Sequence, residues 1–378
     1  MKKSKLNRIF ILPALLIALA SCHKDKIGQP TGPAGPGSIY VLSSGQLNAY
    51  TIDSASALNV PHYTAGSLMN YNPASKKLIA DQYSMANGTP ISGGTNLYIY
   101  GSKMYIISFG AITVVDAKTS KLINQVKINV HNVNYPTGVA FYKGNLFLSV
   151  ADNMVTVYDT ARFAVTKTIN LGNYQVVGAG LAVANGKLYV ADDYFQSSTV
   201  FVIDLATLTL SSPVFSVIPE PITMAADDNG NVYTLSPFDD DGGNTFGYNG
   251  TVYGELNNVN GGLTIINSNT NTVSVSQTQG TIHNFTLAAQ GNFAYFFNSS
   301  NELIAYNSTT HTCAAFVTDG TSFINPTCIA ANPATGELYV GDAKDKISNG
   351  TLYAFDKTGK LEYTLTTGIC PAQIVVAN

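Results

Sequence analysis

From residue 38 onward, short apolar runs alternate with clusters of Gly, Asn, Asp, Ser and Thr, and the alternation recurs as two motifs. The first is Gly or Ser, any residue, an apolar residue and an aromatic, leading into a β run. It stands at Gly37-Ser-Ile-Tyr40, Ser102-Lys-Met-Tyr105, Gly144-Asn-Leu-Phe147, Gly186-Lys-Leu-Tyr189, Gly230-Asn-Val-Tyr233, Gly291-Asn-Phe-Ala294 and Gly336-Glu-Leu-Tyr339. A glycine before an alternating apolar strand signals a hairpin turn, and the aromatic is expected against a packed neighbour. The second motif is an apolar strand closed by Asp or Asn and a small polar turn. Its seven copies end at Asn72, Asp116, Asp159, Asp204, Asn267, Asn307 and Asp356. Side chains of this type bond backbone two residues on and reverse the chain, so these acids read as turn formers rather than catalysts.

The aromatic positions are separated by 65, 42, 42, 44, 61 and 45 residues. The unit is about 43 residues long, the length of a four-stranded propeller blade. One blade reads as strand A (Thr137–Phe141), B (Asn145–Val150), C (Met154–Asp159) and D (Ala164–Asn170). The series begins in a B strand, Ile39–Leu42, and finishes with Pro371–Ala377, an A strand with no B strand after it. The fold class expected is therefore all-β: a seven-bladed β-propeller whose ring closes when the C-terminal strand joins the N-terminal blade. Closure removes the open sheet edges that invite aggregation.

From each Asx turn to the next aromatic the distance is nearly constant, at 33, 31, 30, 29, 27 and 32 residues. From aromatic to Asx turn it is 32, 11, 12, 15, 34, 13 and 17. Length variation thus concentrates in the connection from B to C. In an antiparallel blade that connection emerges on the same face as D to A. Insertions in blades 1, 4, 5 and 7 therefore crowd one rim, and long connections on a rigid scaffold are where binding residues usually sit.

The N-terminus changes the picture of charge and compartment. Lys2, Lys3, Lys5 and Arg8 precede a short apolar run, Ile9–Ala20, with the flanks of a signal peptide rather than a spanning helix. The run ends in Leu19-Ala20-Ser21-Cys22, which resembles the lipobox of bacterial lipoproteins. That resemblance implies cleavage before Cys22, a lipid on its thiol and, with His23 following, an outer-membrane location. Residues 28–37 are a Gly/Pro-rich stretch too short for a triple helix and read as a tether. The domains expected are a signal peptide over 1–21, a tether over 22–37 and the propeller over 38–378. Removing 1–21 takes away four basic residues and no acids, moving the net charge from −3 to −7. With only 11% charged residues and no basic face, a nucleic-acid partner is not expected. Tryptophan is absent, which disfavours propellers that use one per blade.

Candidate chemistry lies on the long-loop rim. Blade 5 carries Phe238, Asp239, Asp240, Asp241, Phe246, Tyr248, Tyr253 and Glu255; blade 4 carries Asp192, Asp193, Tyr194 and Phe195. Blade 7 adds Asp342 and Asp345, and blade 1 adds Tyr50, Asp53, His62 and Tyr63. Acids beside aromatics and amides suit polar-ligand recognition, compatible with sugars, a cation or a cationic cofactor. Each acid alone reads as part of a solvated loop; the rim as a whole reads as a binding surface. No cofactor is expected. A divalent cation is compatible with Asp239 and Asp241, but the EF-hand spacing fails, with Gly243 and Asn244 at the wrong positions. His131 and His283 each precede an A strand, which places them toward the central pore on the same face, with a packed or solvated role the simpler reading. Past the signal, Cys313, Cys328 and Cys370 form no metal-binding spacing and are expected as buried, inert thiols. No Gly-x-Ser-x-Gly elbow, phosphate-binding loop or His-Glu-x-x-His motif is present.

Repeats such as Gly186-Lys-Leu-Tyr-Val-Ala-Asp192 and Val200-Phe-Val-Ile-Asp204, behind a lipobox, resemble the bacterial YVTN-repeat, or YncE-like, propeller lipoproteins. The opening Tyr40-Val-Leu-Ser43 and the closing Ser348–Gly359 are similar to cell-surface members from Bacteroidetes-type bacteria. The resemblance implies an exported, surface-exposed binding or scaffold propeller, sometimes associated with outer-membrane nutrient transporters. It carries over no catalytic residue. Three readings stay open: a lipid-anchored module for a small ligand or a transporter partner, a lactonase-type hydrolase, and a structural subunit of an envelope complex.

Overall fold

The computed structural model describes residues 37–53, 58–128, 138–150, 153–172, 178–192, 197–217, 221–236, 245–248, 251–255, 262–277 and 286–377. Its strands form seven antiparallel four-stranded blades, each running A-B-C-D from the inner strand outward. Blade 1 combines Pro371–Ala377 with Ser38–Ser43, Ala65–Asn72 and Lys77–Ile79. Blade 2 is Gly94–Tyr100, Lys103–Ser108, Ala111–Asp116 and Leu122–Lys127; blade 3 is Gly138–Tyr142, Asn145–Val150, Met154–Asp159 and Val165–Asn170. Blade 4 is Gly178–Ala184, Lys187–Asp192, Thr199–Asp204 and Thr209–Ser216; blade 5 is Thr223–Ala226, Asn231–Ser236, Gly262–Asn267 and Thr272–Gln277. Blade 6 is Leu287–Gln290, Phe293–Phe297, Leu303–Asn307 and Thr312–Ala315; blade 7 is Pro326–Ala331, Leu338–Asp342, Asn349–Phe355 and Leu361–Ile369. The expected closure is present: Ser38 pairs with Ala377, Tyr40 with Val375 and Leu42 with Gln373.

Seven apolar clusters hold the ring, and each lies between two adjacent blades. B strands are apolar almost throughout because both of their faces pack on neighbouring sheets; Lys187–Asp192 is buried over its last five residues. Outer strands have lost that requirement, and Leu122–Lys127 is exposed at all but one position. Tyr40, Tyr105, Phe147, Tyr189, Tyr233 and Tyr339 each enter the cluster shared with the following blade. Burying such a ring contributes about 1.5–3 kcal/mol, so the repeated aromatic is a principal element of each interface.

Blade 6 departs from the sequence alignment by one residue. Each of the other repeated aromatics pairs across the sheet with the residue two before its Asx turn, as Tyr189 does with Val202. In blade 6 that partner, Ala305, faces Tyr295, not Ala294. The hairpin loop there is Gly291-Asn292, with glycine first, so the strand starts one residue later than the glycine implied. Tyr295 packs in the cluster between blades 6 and 7, so all seven positions hold an aromatic ring.

The seven Asx turns are as expected. Asp204 Oδ1, for example, accepts from the backbone of Ala206 and Thr207, both at 2.9 Å, and Asn307 Oδ1 accepts from Thr309 at 2.8 Å and Thr310 at 3.2 Å. The residue after the turn bonds back to the A–B loop, as Ser268 N does to Gly230 O at 2.9 Å. The same residue also meets the tyrosine of the preceding blade: Tyr40 OH donates to Ala117 O at 3.2 Å across the interface between blades 1 and 2.

Candidate functional site

Blade 1 is the irregular one. Its B–C connection is a separate hairpin, Leu47–Asp53 paired with Leu58–Tyr63, and its outer strand is split. Lys77–Ile79 pairs with one end of Ala65–Asn72 and Ile91–Ser92 with the other. Between them the chain leaves the sheet to form helix α1, Gln82–Asn87. Asp81 caps it, its Oδ1 accepting from Ser84 N at 3.1 Å and Leu68 N at 3.2 Å, and Gly88 ends it at φ 73°.

This excursion is bolted to blade 2. Gln82 Nε2 donates to Lys118 O at 3.0 Å, Asn87 Nδ2 to Ser120 O at 2.8 Å, and Leu122 N to Asn87 Oδ1 at 2.8 Å. The helix thus substitutes side-chain hydrogen bonds for the missing stretch of outer strand. The result is a cleft of about 460 Å³ between blades 1 and 2. The hairpin contributes Pro61 and Tyr63, the helix Tyr83, and the returning chain Thr89 to Gly93. Blade 2 supplies Ile106, Ser108, Phe109 and Thr113, with Leu122 and Gln125 from its outer strand. Ser108 to Ala111 is the B–C turn of blade 2, so the cleft sits at the long-loop rim.

The Tyr63 ring crowds the chain at Gly93: a Cβ there, where φ is +57°, would stand 2.6 Å from it. Gln125 Nε2 donates to Thr113 Oγ1 at 3.0 Å. Burial first, and Asp81 second, push the Tyr83 hydroxyl above its ordinary pKa, keeping it neutral. Among the described residues, no Asp, Glu, Lys, Arg or His lines the cleft.

Of the binding residues expected from sequence, Asp192 is described. It ends strand B of blade 4, is buried at 1% exposure, and accepts from Ser197 Oγ at 2.7 Å. Tyr248 and Tyr253 lie in a short hairpin, Thr245–Tyr248 with Thr251–Glu255, separate from the blade sheet; their side chains are outside the described residues. Cys22, His131, Asp193, Tyr194, Phe195, Asp239, Asp240, Asp241 and His283 also lie outside them. In blade 7 the rim acids hold backbone. Asp342, fully buried, accepts from Ile324 N, Asn325 N and Lys344 N at 2.8–2.9 Å, and Asp345 from Ile347 N and Ser348 N at 3.0 and 2.7 Å. These contacts hold Asp345 below its usual pKa. Among the described residues no group of three or more His, Cys, Asp and Glu is placed to hold a metal, and no helix is long and apolar enough to cross a membrane.

The thiols differ from the expectation that all are buried. Cys328 is buried, and desolvation pushes its pKa up to about 12. Cys313 is exposed because its strand is the outermost of blade 6, and Cys370 is half-buried in the turn before the closing strand.

Tyr83, Phe109, Thr113 and Gln125 were not singled out by the sequence. The signal available was Asp81-Gln-Tyr-Ser-Met-Ala-Asn-Gly88, a helix bounded by a capping Asp and a terminating Gly inside a chain of strands.

Fold and rim together define the class: a seven-bladed, four-stranded β-propeller with elaborated B–C connections. The sequence matches no protein-family model and no curated protein. Its structure is similar to that of a quinoprotein alcohol dehydrogenase-like protein from Bacteroides thetaiotaomicron, with a TM-score of 0.59 and 16% identity over 90% of this chain and 92% of that one. It is also similar to the computationally designed Ika8 protein, at TM-score 0.55 and 14% identity over 91% and 92% of the two chains. Hydrazine synthase of Kuenenia stuttgartiensis aligns at TM-score 0.52 and 15% identity, over 72% of this chain and 86% of that one. At these identities the likeness is one of fold.

Proposed function

We propose that this chain is an exported lipoprotein, anchored through Cys22 in the outer membrane and surface-exposed, whose propeller is a non-catalytic binding module using its B–C rim. In this reading residues 1–21 are the signal, 22–37 the tether and 38–378 the propeller, and the chain is a member of the YVTN-repeat family. The observation that carries it is the placement of the added structure. Both extra hairpins form two-stranded sheets of their own on B–C connections, whereas the described C–D turns on the opposite face are short and repetitive. A rigid ring that carries its extra hairpins on one rim is the usual arrangement of a recognition surface. The partner is a small molecule, or a transporter to which the module delivers it.

Deleting residues 238–253 tests the reading. The blade 5 pairing of Asn231–Ser236 with Gly262–Asn267 does not involve that segment, so the fold should survive. Loss of ligand or transporter retention from solubilised envelopes with an unchanged melting curve is expected; full retention would sink the proposal. Metabolic lipid labelling that persists in a Cys22→Ala variant would remove the anchor from it.

A further inference from the structure

The cleft between blades 1 and 2 has a chemistry of its own. Its volume, about 460 Å³, falls within the range of about 300–1,000 Å³ usual for small-molecule sites. Aromatic rings stand beside neutral hydroxyl and amide groups, and among the described residues no charged side chain is in the lining. A carboxylate, phosphate or ammonium entering it would lose hydration and meet no countercharge. A purely apolar ligand would strip water from Ser92, Ser108, Thr113 and Gln125 and leave unmet the hydrogen-bonding capacity that the Gln125–Thr113 pair does not use. An uncharged ring bearing several hydroxyls meets neither penalty. Its C–H face stacks on an aromatic, and its hydroxyls both donate to and accept from amides and alcohols.

We propose that this cleft binds an uncharged sugar, with Tyr63 and Phe109 as stacking faces and Thr113, Gln125, Ser108 and Ser92 as partners for its hydroxyls. The inference rests on the binding-module reading and names its ligand class.

The walls are held before any ligand arrives. Asn87 and Gln82 fix the helix to the C–D turn of blade 2, while Tyr63 is seated on the Gly93 backbone. Ser44 Oγ, just past blade 1's B strand, donates to Gly94 O at 2.6 Å and ties the start of blade 2's inner strand to it. Preorganisation of this kind lowers the ordering cost that weakens sugar binding. The outer strand of blade 1 gives up its continuity to make the helix, and no other described blade does so. Blade closure does not require that excursion.

Titration of the full-length protein with maltose, cellobiose, lactose and xylobiose, read by calorimetry and saturation-transfer NMR, tests the inference. Cellobiouronic acid is the charged control. At least one neutral disaccharide should bind at millimolar concentration or tighter, with the acid about tenfold weaker. Tyr63→Ala and Gln125→Leu each remove one proposed contact, and each should weaken binding about tenfold while the far-ultraviolet circular dichroism stays that of the parent. Absence of binding by all four neutral sugars overturns the inference. So does equal binding by both variants, or by the acid. The deletion of 238–253 leaves the cleft intact. Sugar binding that fails while that deletion still abolishes partner retention would refute the sugar site alone; retention unaffected by the deletion would refute the rim reading.

Discussion

Substitution of the repeated tyrosine by phenylalanine should have opposite effects in two blades. Tyr233 OH donates to Asp227 Oδ2 at 2.8 Å, and Asp227 is 1% exposed. That carboxylate also accepts from Asn231 Nδ2 at 2.8 Å, Asn231 N at 2.8 Å and Asn229 N at 2.9 Å. Removing the hydroxyl takes one of four donors from a buried charge, a loss of about 1.5–3 kcal/mol. Tyr189 occupies the same place in blade 4, but its buried hydroxyl reaches no partner in hydrogen-bond geometry. Burial pushes its pKa up to about 12, and Ser268 in the next blade only partly offsets that. Tyr189→Phe removes an unsatisfied polar atom and keeps the ring, so it should be neutral or stabilising by up to about 1 kcal/mol. Blade 3, which carries Phe147 at this position, shows that the interface accommodates the plain ring. Urea unfolding followed by circular dichroism reads both as shifts in midpoint at constant slope. A Tyr233→Phe protein as stable as the parent, or a Tyr189→Phe protein that loses as much, would refute the reasoning.

Three further outcomes follow from the same contacts. Gly180→Ala places a Cβ 2.3 Å from Met224 N in the adjoining blade's inner strand; it should destabilise by about 1–3 kcal/mol, measurable in the same unfolding experiment. Hydrogen bonds from the Thr207 and Ala206 backbone hold Asp204 below its ordinary pKa, and Thr358 and Lys360 do so for Asp356. A folded pKa below the unfolded one gives stability that is present above the unfolded value and lost as pH falls through the folded value. Asp204→Asn with Asp356→Asn, which keeps the turn chemistry of Asn267, should therefore unfold less steeply with acid below about pH 4. Native thiol titration should modify Cys313 readily and Cys328 only after unfolding, since burial holds the Cys328 thiol protonated.

The blade count, strand boundaries and closure were legible because they rest on local chemistry. An Asx turn is written in the four residues that form it, and strand Asn145–Val150 was placed to the residue by its apolar run. The slip at Ala294 arose because glycine occupies either position of a two-residue hairpin loop, which moves the strand by one. Interblade contacts are less legible. Nothing local to Tyr40 announces that its hydroxyl meets Ala117, because the partner lies in the next blade. The cleft was hidden for a related reason. Splitting an outer strand to insert α1 lengthens that repeat by a few residues at most, so the near-constant spacing concealed it. Asp342 and Asp345 looked like ligand groups by residue type, whereas they accept from backbone N–H groups of the same rim and, for Asp345, also from the Ser348 hydroxyl.

The account turns on which face of the propeller is used. Hydrogen–deuterium exchange of the full-length protein, alone and in solubilised envelope extract, reads this directly. The account predicts slowed exchange at rim segments such as 44–53, 58–64, 89–93 and 108–111, with the C–D turns at 117–120, 205–208 and 308–311 unchanged. Slowing confined to those turns would place the partner on the opposite face and contradict it.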